Sequence, residues 1–156
     1  MKIARIDTIA IDIPSNHGGN APGQGGRDWK VLPMLLVRVE TDTGVIGYGD
    51  AFCYECRPAV QAAVEHMIAP RAIGQDASKI TQLMQNLQKD LHIFGRYGIL
   101  MFAMSGLDIA LWDIAGKNVG APLHDLLGGA VHERIPAYAS LFRYRDPEIV
   151  AAKTKD

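Results

Sequence analysis

Three groups of residues in this 156-residue chain have types and spacings that could do chemistry: a cysteine pair, an aspartate pair and a glycine-rich run. Cys53 and Cys56 form a CxxC in FCYECRP, and Pro58 is placed to enter the first turn of a helix, where a nearby thiol is stabilised as thiolate. Redox motifs of this kind sit in a βαβ frame, which the flanking pattern does not supply, so two small buried or half-buried side chains are the favoured reading. Zinc fits less well. A structural site needs four ligands, no second CxxC exists, and His66 has no partner histidine at i+3 to i+5. His66, His92, His124 and His132 are scattered without metal-ligand spacing and take no role. Asp108 and Asp113 are five residues apart on a helical pattern, which sets them about 140° apart around the axis, so they cannot act as a carboxylate dyad. Asp113 with Lys117 at i+4 is an ordinary helical ion pair, worth about 0.3 kcal/mol.

The third group is NHGGNAPGQGGRDW, residues 16 to 29, with five glycines. A nucleotide reading fails. GQGGRD departs from GxGxxG because Asp28 stands where the third glycine belongs, a strand rather than a helix follows, and GxxxxGK is absent. Glycine loses the most conformational freedom on ordering, so a run this rich in it is kept for something other than stability; long loops in compact domains are commonly lids or binding loops.

The elements that would hold these groups follow from periodicity. Residues 3 to 13 alternate through Ile9, Ile11 and Ile13 before Pro14, as a strand does. MLLVRVET places Leu35, Val37 and Val39 on one face and Leu36, Arg38 and Glu40 on the other. TDTG then supplies a turn before VIGYGDA, making a hairpin. Gly47 and Gly49 share a face of its second strand, which predicts that something packs against bare backbone there. From Pro58 the period is helical. Val60, Ala63, Val64, Met67 and Ile68 form one stripe bounded by Pro70, and Asp76 is the expected N-cap of a second helix carrying Ile80, Leu83, Met84, Leu87 and Leu91, ended by Gly95. ILMFAMSGLDIALWDIAGKNVG is apolar almost all round and reads as a buried helix, followed by a short PLHDLLGG helix. Residues 134 to 141 read as a strand. Asp146, Pro147 and Glu148 then open another helix, the first half of a βαβ unit whose parallel partner is missing.

Hydrophobic residues make up 48% of the chain and charged residues 21%, with a net charge of −1, so a globular core is expected and no field gathers nucleic acid or anionic lipid. Arg5, Asp7 and Asp12 break any signal-peptide core, and no stretch is read as approaching the 18 or so apolar residues of a membrane span. A cytoplasmic location, with no nucleic-acid or membrane partner, is the expectation.

The run MFAMSGLDIALWDIAGKNVGAPLHDLLGG, residues 101 to 129, closely resembles the signature segment of the mandelate racemase and muconate lactonizing branch of the enolase superfamily. The surrounding order is similar too: meander, long first loop, GYGDA closing the third strand, helical bundle, GRYG before the signature helix, then a strand. The resemblance implies an α+β fold, a three-stranded antiparallel meander followed by a helical bundle as an N-terminal capping domain over residues 1–131. Residues 132–156 would be the first strand and partial helix of a truncated (β/α)8 barrel. It implies chemistry in the barrel, at the C-terminal ends of its strands, with Mg2+ held by three carboxylates and a lysine or histidine base abstracting the proton α to a substrate carboxylate. All of those residues lie on barrel strands beyond residue 156, so no catalytic residue or metal ligand is assigned in this chain, and alone it is expected to be inactive. What the cap implies here is a pair of lid loops, with His17, Arg27 and Trp29 on the first and Phe52, Tyr54 and Glu55 on the second as substrate-binding candidates. Arg27 would clamp a distal carboxylate, His17 and Glu55 would bind hydroxyls, and the aromatics would wall out water. Such a polar lid suits an acid-sugar dehydratase, working in a homo-oligomer on a small carboxylate. Racemase or cycloisomerase activity, a non-catalytic binding or oligomerisation module, and a thiol redox module stay open as alternatives.

Overall fold

The computed structural model describes residues 1–15, 30–138, 140–141, 144 and 146–155. They divide into two compact units, one of Met1–Ile11 with Pro33–Ala130 and one of Asp12–Leu32 with Val131–Asp156. Strands β1 (Ile3–Pro14), β2 (Val31–Thr41) and β3 (Ile46–Asp50) form one sheet in the order β1-β2-β3. The predicted hairpin is β2–β3, antiparallel, with Val37 opposite Gly49 and Val39 opposite Gly47. Its turn holds because Gly44 takes φ +84° and donates to the Thr41 carbonyl (3.0 Å), while the buried Thr41 hydroxyl accepts from Val45 N–H (3.1 Å).

Leu35, Val37 and Val39 are fully buried, as their alternation requires. Against them lies helix α4 (Ile99–Val119), and the two glycines of β3 explain how closely. A Cβ on Gly47 would run into the Ala110 carbonyl, and one on Gly49 into the Gly106 carbonyl. Helix backbone rests directly on strand backbone. Gly106 reciprocates, since a Cβ there would come within 2.7 Å of Val37 Cγ2 and 2.9 Å of Ala51 Cβ. α4 buries Leu100, Ala103, Met104, Leu107, Ala110, Leu111 and Ile114, and Gly120 ends it in the left-handed conformation (φ +66°). By length and composition α4 could cross a membrane, an exception to the expectation from sequence; half of that stretch is buried inside the protein, which accounts for its composition.

The other helices are α1 (Arg57–Ala63), α2 (Ala69–Ala72), α3 (Ile80–Asp90), α5 (Leu123–Leu126) and α6 (Pro147–Lys153). Pro58 enters α1 and Asp146 caps α6 by accepting from Glu148 N–H (2.9 Å), both as expected. Three expectations are corrected. Pro70 does not end its helix: residues Val64–Ile68 widen into a π turn, which relieves the clash of the proline ring with the preceding turn, and the chain stays helical to Ala72. Arg71 Nη1 donates to the Met67 carbonyl (2.7 Å) there. Asp76 does not cap α3. Its backbone is bridged to Lys2 and Ala77 N–H donates to the Met1 carbonyl (3.0 Å), so this stretch is pinned to the start of β1; the Asp76 carboxylate accepts from Ser78 instead, and α3 begins at Ile80. Residues 134–138 are irregular rather than a strand, with Ile135 and Tyr138 largely exposed, because no neighbouring strand pairs with them among the described residues.

Candidate functional site

The second predicted lid loop, AFCYECRP at residues 51–58, is irregular only as far as Cys56, since Arg57 and Pro58 already belong to α1, and it is held at both ends. At its start Ala51 N–H donates to the Leu35 carbonyl (2.8 Å), which continues the sheet one residue past β3. Its far end is a turn, with Cys56 N–H donating to the Cys53 carbonyl (3.0 Å), that runs straight into α1. α1 and the π turn after it in turn grip β1: Arg57 Nη1 donates to the Ile11 carbonyl (3.2 Å), Gln61 Nε2 donates to Thr8 Oγ1 (3.1 Å), and Thr8 Oγ1 donates to Glu65 of the π turn. The hydrogen bonds from Thr8, then Gln61, hold the Glu65 carboxyl below its ordinary range.

Within this frame Cys53 is buried, and its Sγ donates to the Pro33 carbonyl (3.4 Å). No disulfide joins it to Cys56. The thiol anchors the loop from below, which favours the structural reading of the pair over the redox one. Burying Ala51 and Cys53 leaves alternate side chains outside. Phe52 is about half exposed (52%) and stands edge-on against Phe102 of α4, with ring centroids 4.8 Å apart and planes at 67°. Tyr54 lies beyond it, its ring centroid 6.5 Å from that of Phe52. Glu55 is exposed at φ +52°, the one non-glycine residue at positive φ among those described, so the backbone holds a strained conformation to present it.

Of the residues predicted from sequence, the structure describes Phe52 and Tyr54 as neighbouring rings of this loop and Glu55 as an exposed residue next to Tyr54 in the chain. His17, Arg27 and Trp29 lie outside the described residues. What is described is the chain on either side of them, where Ser15 N–H donates to the Lys30 carbonyl (2.9 Å). Phe102 was not predicted as part of the site, because on a helix apolar all round it is indistinguishable from core. Its position at the first turn of α4, beside the end of β3, sets it apart only in three dimensions.

The two aspartates of α4 part company as their spacing demands. Asp113 Oδ2 accepts from Lys117 Nζ (2.6 Å) and from the Tyr48 N–H (2.9 Å), and Lys117 Nζ also donates to the Ile46 carbonyl (2.9 Å). Together they close the outer edge of β3, a role beyond the simple ion pair expected. Asp108 sits apart, and burial raises its carboxyl above the ordinary range. Among the described residues no three His, Cys, Asp or Glu side chains gather as metal ligands.

Residues 29–128 match the family model for the N-terminal domain of mandelate racemase and muconate lactonizing enzyme. The chain is 39% identical over 107 residues to an arabinonate dehydratase of Saccharolobus solfataricus, covering 69% of this chain and 28% of the relative. It is also 39% identical over 125 residues to a D-galactonate dehydratase of Klebsiella pneumoniae, covering 79% of this chain and 32% of the relative. Its fold is similar to a mandelate racemase/muconate lactonizing protein of Paracoccus denitrificans crystallised with magnesium, with a TM-score of 0.69, 30% identity, and 86% of this chain on 32% of that one. The chain thus spans about 30% of the length of these relatives.

Proposed function

The chain belongs to the mandelate racemase/muconate lactonizing enzyme family as its N-terminal domain, and from that premise we propose that it is the cover of an acid-sugar dehydratase active site. The observation that carries the substrate class is the likeness to relatives named for arabinonate and D-galactonate. Its loop chemistry is consistent with that class. The exposed Phe52 ring, propped on Phe102, supplies an apolar wall, Tyr54 and Glu55 supply hydrogen-bonding groups beside it, and a polyhydroxylated chain needs both. In this reading His17, Arg27 and Trp29 complete the cover from the first loop, with Arg27 directed at a distal carboxylate.

The work of such a cover is to bind, orient and dry the substrate while another part of the enzyme removes the proton α to the carboxylate. The described residues supply no ligand set for the Mg2+ that the family resemblance implies, so no step passes through a metal held by them. The chemistry is assigned to a barrel outside this span, and these 156 residues alone are expected to be inactive. A cytoplasmic location and a homo-oligomer go with this reading. Racemisation or cycloisomerisation would use the same cover, and product analysis separates them.

Replacing the matching N-terminal segment of the Klebsiella D-galactonate dehydratase with this chain tests the proposal. Retained conversion of D-galactonate to its 2-keto-3-deoxy acid is the expected result. A folded chimera that binds Mg2+ but forms only an epimerised or cyclised product would overturn the dehydratase reading, and dehydration by the 156-residue chain alone would overturn its role as a cover.

A further inference from the structure

Cys53 and Cys56 are the two cysteines of the chain, and they stand at the first and fourth positions of the turn that the Cys56 N–H closes onto the Cys53 carbonyl (3.0 Å). Such a turn holds its outer Cα atoms within about 7 Å of each other, and a disulfide spans about 4.4–6.8 Å between Cα atoms. Side-chain placement agrees. Cys53 is 3% exposed and belongs to the hydrophobic core, and Cys56, half-buried, packs against that same core. Both thiols therefore lie on the inner side of a loop whose Phe52 ring is on the outside.

The two sulfurs differ in access and in what they hold. Cys56 occupies the N-cap of α1 without a side-chain hydrogen bond to the helix, so its thiol has no capping bond to give up. Cys53 Sγ donates to the Pro33 carbonyl of β2 (3.4 Å), and a thiol is a weak donor, so turning toward Cys56 costs little. In the reduced protein that bond makes Cys53 structural. A thiol module acting on other proteins would have to reach a disulfide on another molecule, which a sulfur buried this far does not do. A small oxidant needs only Cys56 to be reachable, and no third cysteine competes for the product.

We propose that the turn is an oxidation site, where a small hydroperoxide converts Cys53 and Cys56 into a disulfide within the loop. Cys56 sulfur, as thiolate, attacks one peroxide oxygen; the S–O bond forms, the O–O bond breaks, and the departing oxygen leaves as water. Cys53 sulfur then attacks the Cys56 sulfenic acid from beneath, the S–S bond forms, the S–O bond breaks, and a second water leaves. Two electrons pass from the thiols to the peroxide, and the two thiol protons end in the two waters. The ring closed in this way contains only four residues, so the cross-link removes little chain entropy and stays open to reduction by a small thiol, as a reversible switch requires.

Oxidation exchanges the Cys53 bond to Pro33 for one to Cys56. The loop thereby loses a tether to β2, and Phe52, next in the chain, shifts against Phe102. The disulfide is independent of the reaction assigned to the parent enzyme; only its effect on substrate binding rests on the cover reading.

Peroxide treatment of the folded 156-residue chain, followed by unfolding in iodoacetamide and mass spectrometry, tests it. Neither cysteine should be alkylated, the chain should be lighter by two hydrogens, and dithiothreitol should restore both thiols. In a Cys53→Ser variant that keeps its circular-dichroism spectrum, the reaction should stop at a Cys56 sulfenic acid that dimedone traps; if the variant does not fold, the wild-type masses decide alone. Cys56 running on to sulfinic acid while Cys53 remains alkylatable would overturn the proposal, and so would a disulfide joining two chains. The ring resonances of Phe52 and Phe102 should move on oxidation and return on reduction, and rings that stay unchanged would overturn the switch.

Discussion

Gly49 of β3 lies beneath Gly106 of α4 so closely that a methyl group on Gly49 would strike the Gly106 carbonyl, whereas one on Gly106 would meet the Val37 and Ala51 side chains. The difference is one of degree: the Gly106 carbonyl cannot yield without moving the helix, whereas Val37 Cγ2 yields a little by rotation, although Ala51 Cβ moves only with its own backbone.

Gly49→Ala is therefore expected to cost about 1–3 kcal/mol or more, as overpacking against backbone does. Gly106→Ala should cost less, because the alanine gains about 1 kcal/mol of helix propensity that offsets part of the crowding. Urea unfolding of the two variants checks the order, and equal losses would contradict it.

Asp113→Ala removes the acceptor of the Tyr48 N–H and one partner of Lys117. A loss of about 1 kcal/mol is expected for this partly exposed hydrogen bond, and less for Lys117→Met, whose ion pair is solvent-screened. Amide hydrogen exchange gives the sharper readout: Tyr48 should exchange faster in the Asp113 variant while Gly47 changes little.

Two carboxyls give opposite dependences on pH. The folded pKa of Glu65 is depressed, so its bonds from Thr8 and Gln61 contribute stability above the ordinary value of 4.5, and that contribution is lost as pH falls through the lower folded value. Asp108 is raised by burial, so its penalty appears as pH rises from the ordinary 3.8 through the higher folded value and persists above it. Glu65→Gln should flatten the acid limb of a stability profile. Asp108→Asn should raise stability at pH 7 by less than about 1 kcal/mol, allowing for solvent screening, with the gain vanishing at acid pH.

Glu55→Gly separates the strain of the second loop from its chemistry. Glycine occupies φ +52° without the roughly 1 kcal/mol cost paid by a side chain there, so the variant should be as stable as wild type or more so. In the chimeric dehydratase the same substitution should raise KM for D-galactonate with little change in kcat, as loss of uniform binding does. An unchanged KM would remove Glu55 from the proposed cover.

Local rules carried much of this protein. Leu35, Val37 and Val39 declared their face by alternation, the stripes Val60–Ile68 and Ile80–Leu91 declared theirs by helical spacing, and the paired glycines of β3 announced a close approach, because each of these signals depends only on neighbours in the chain. The family was legible from residues 101–129. Where the readings failed, a distant partner had intervened. Asp76 lost its cap to a bridge with Lys2, Pro70 was absorbed by a π turn, and the apolar run at 134–141 formed no strand in its described part, since a strand exists only beside another.

The sequence by itself determined which residues are apolar, at what period, and to which family they belong. Only the tertiary structure decided that Phe102 props Phe52 and that Asp113 and Lys117 guard the edge of β3. Each of these joins residues 50 to 71 positions apart, and period and propensity hold no information about pairs so distant until the chain has packed.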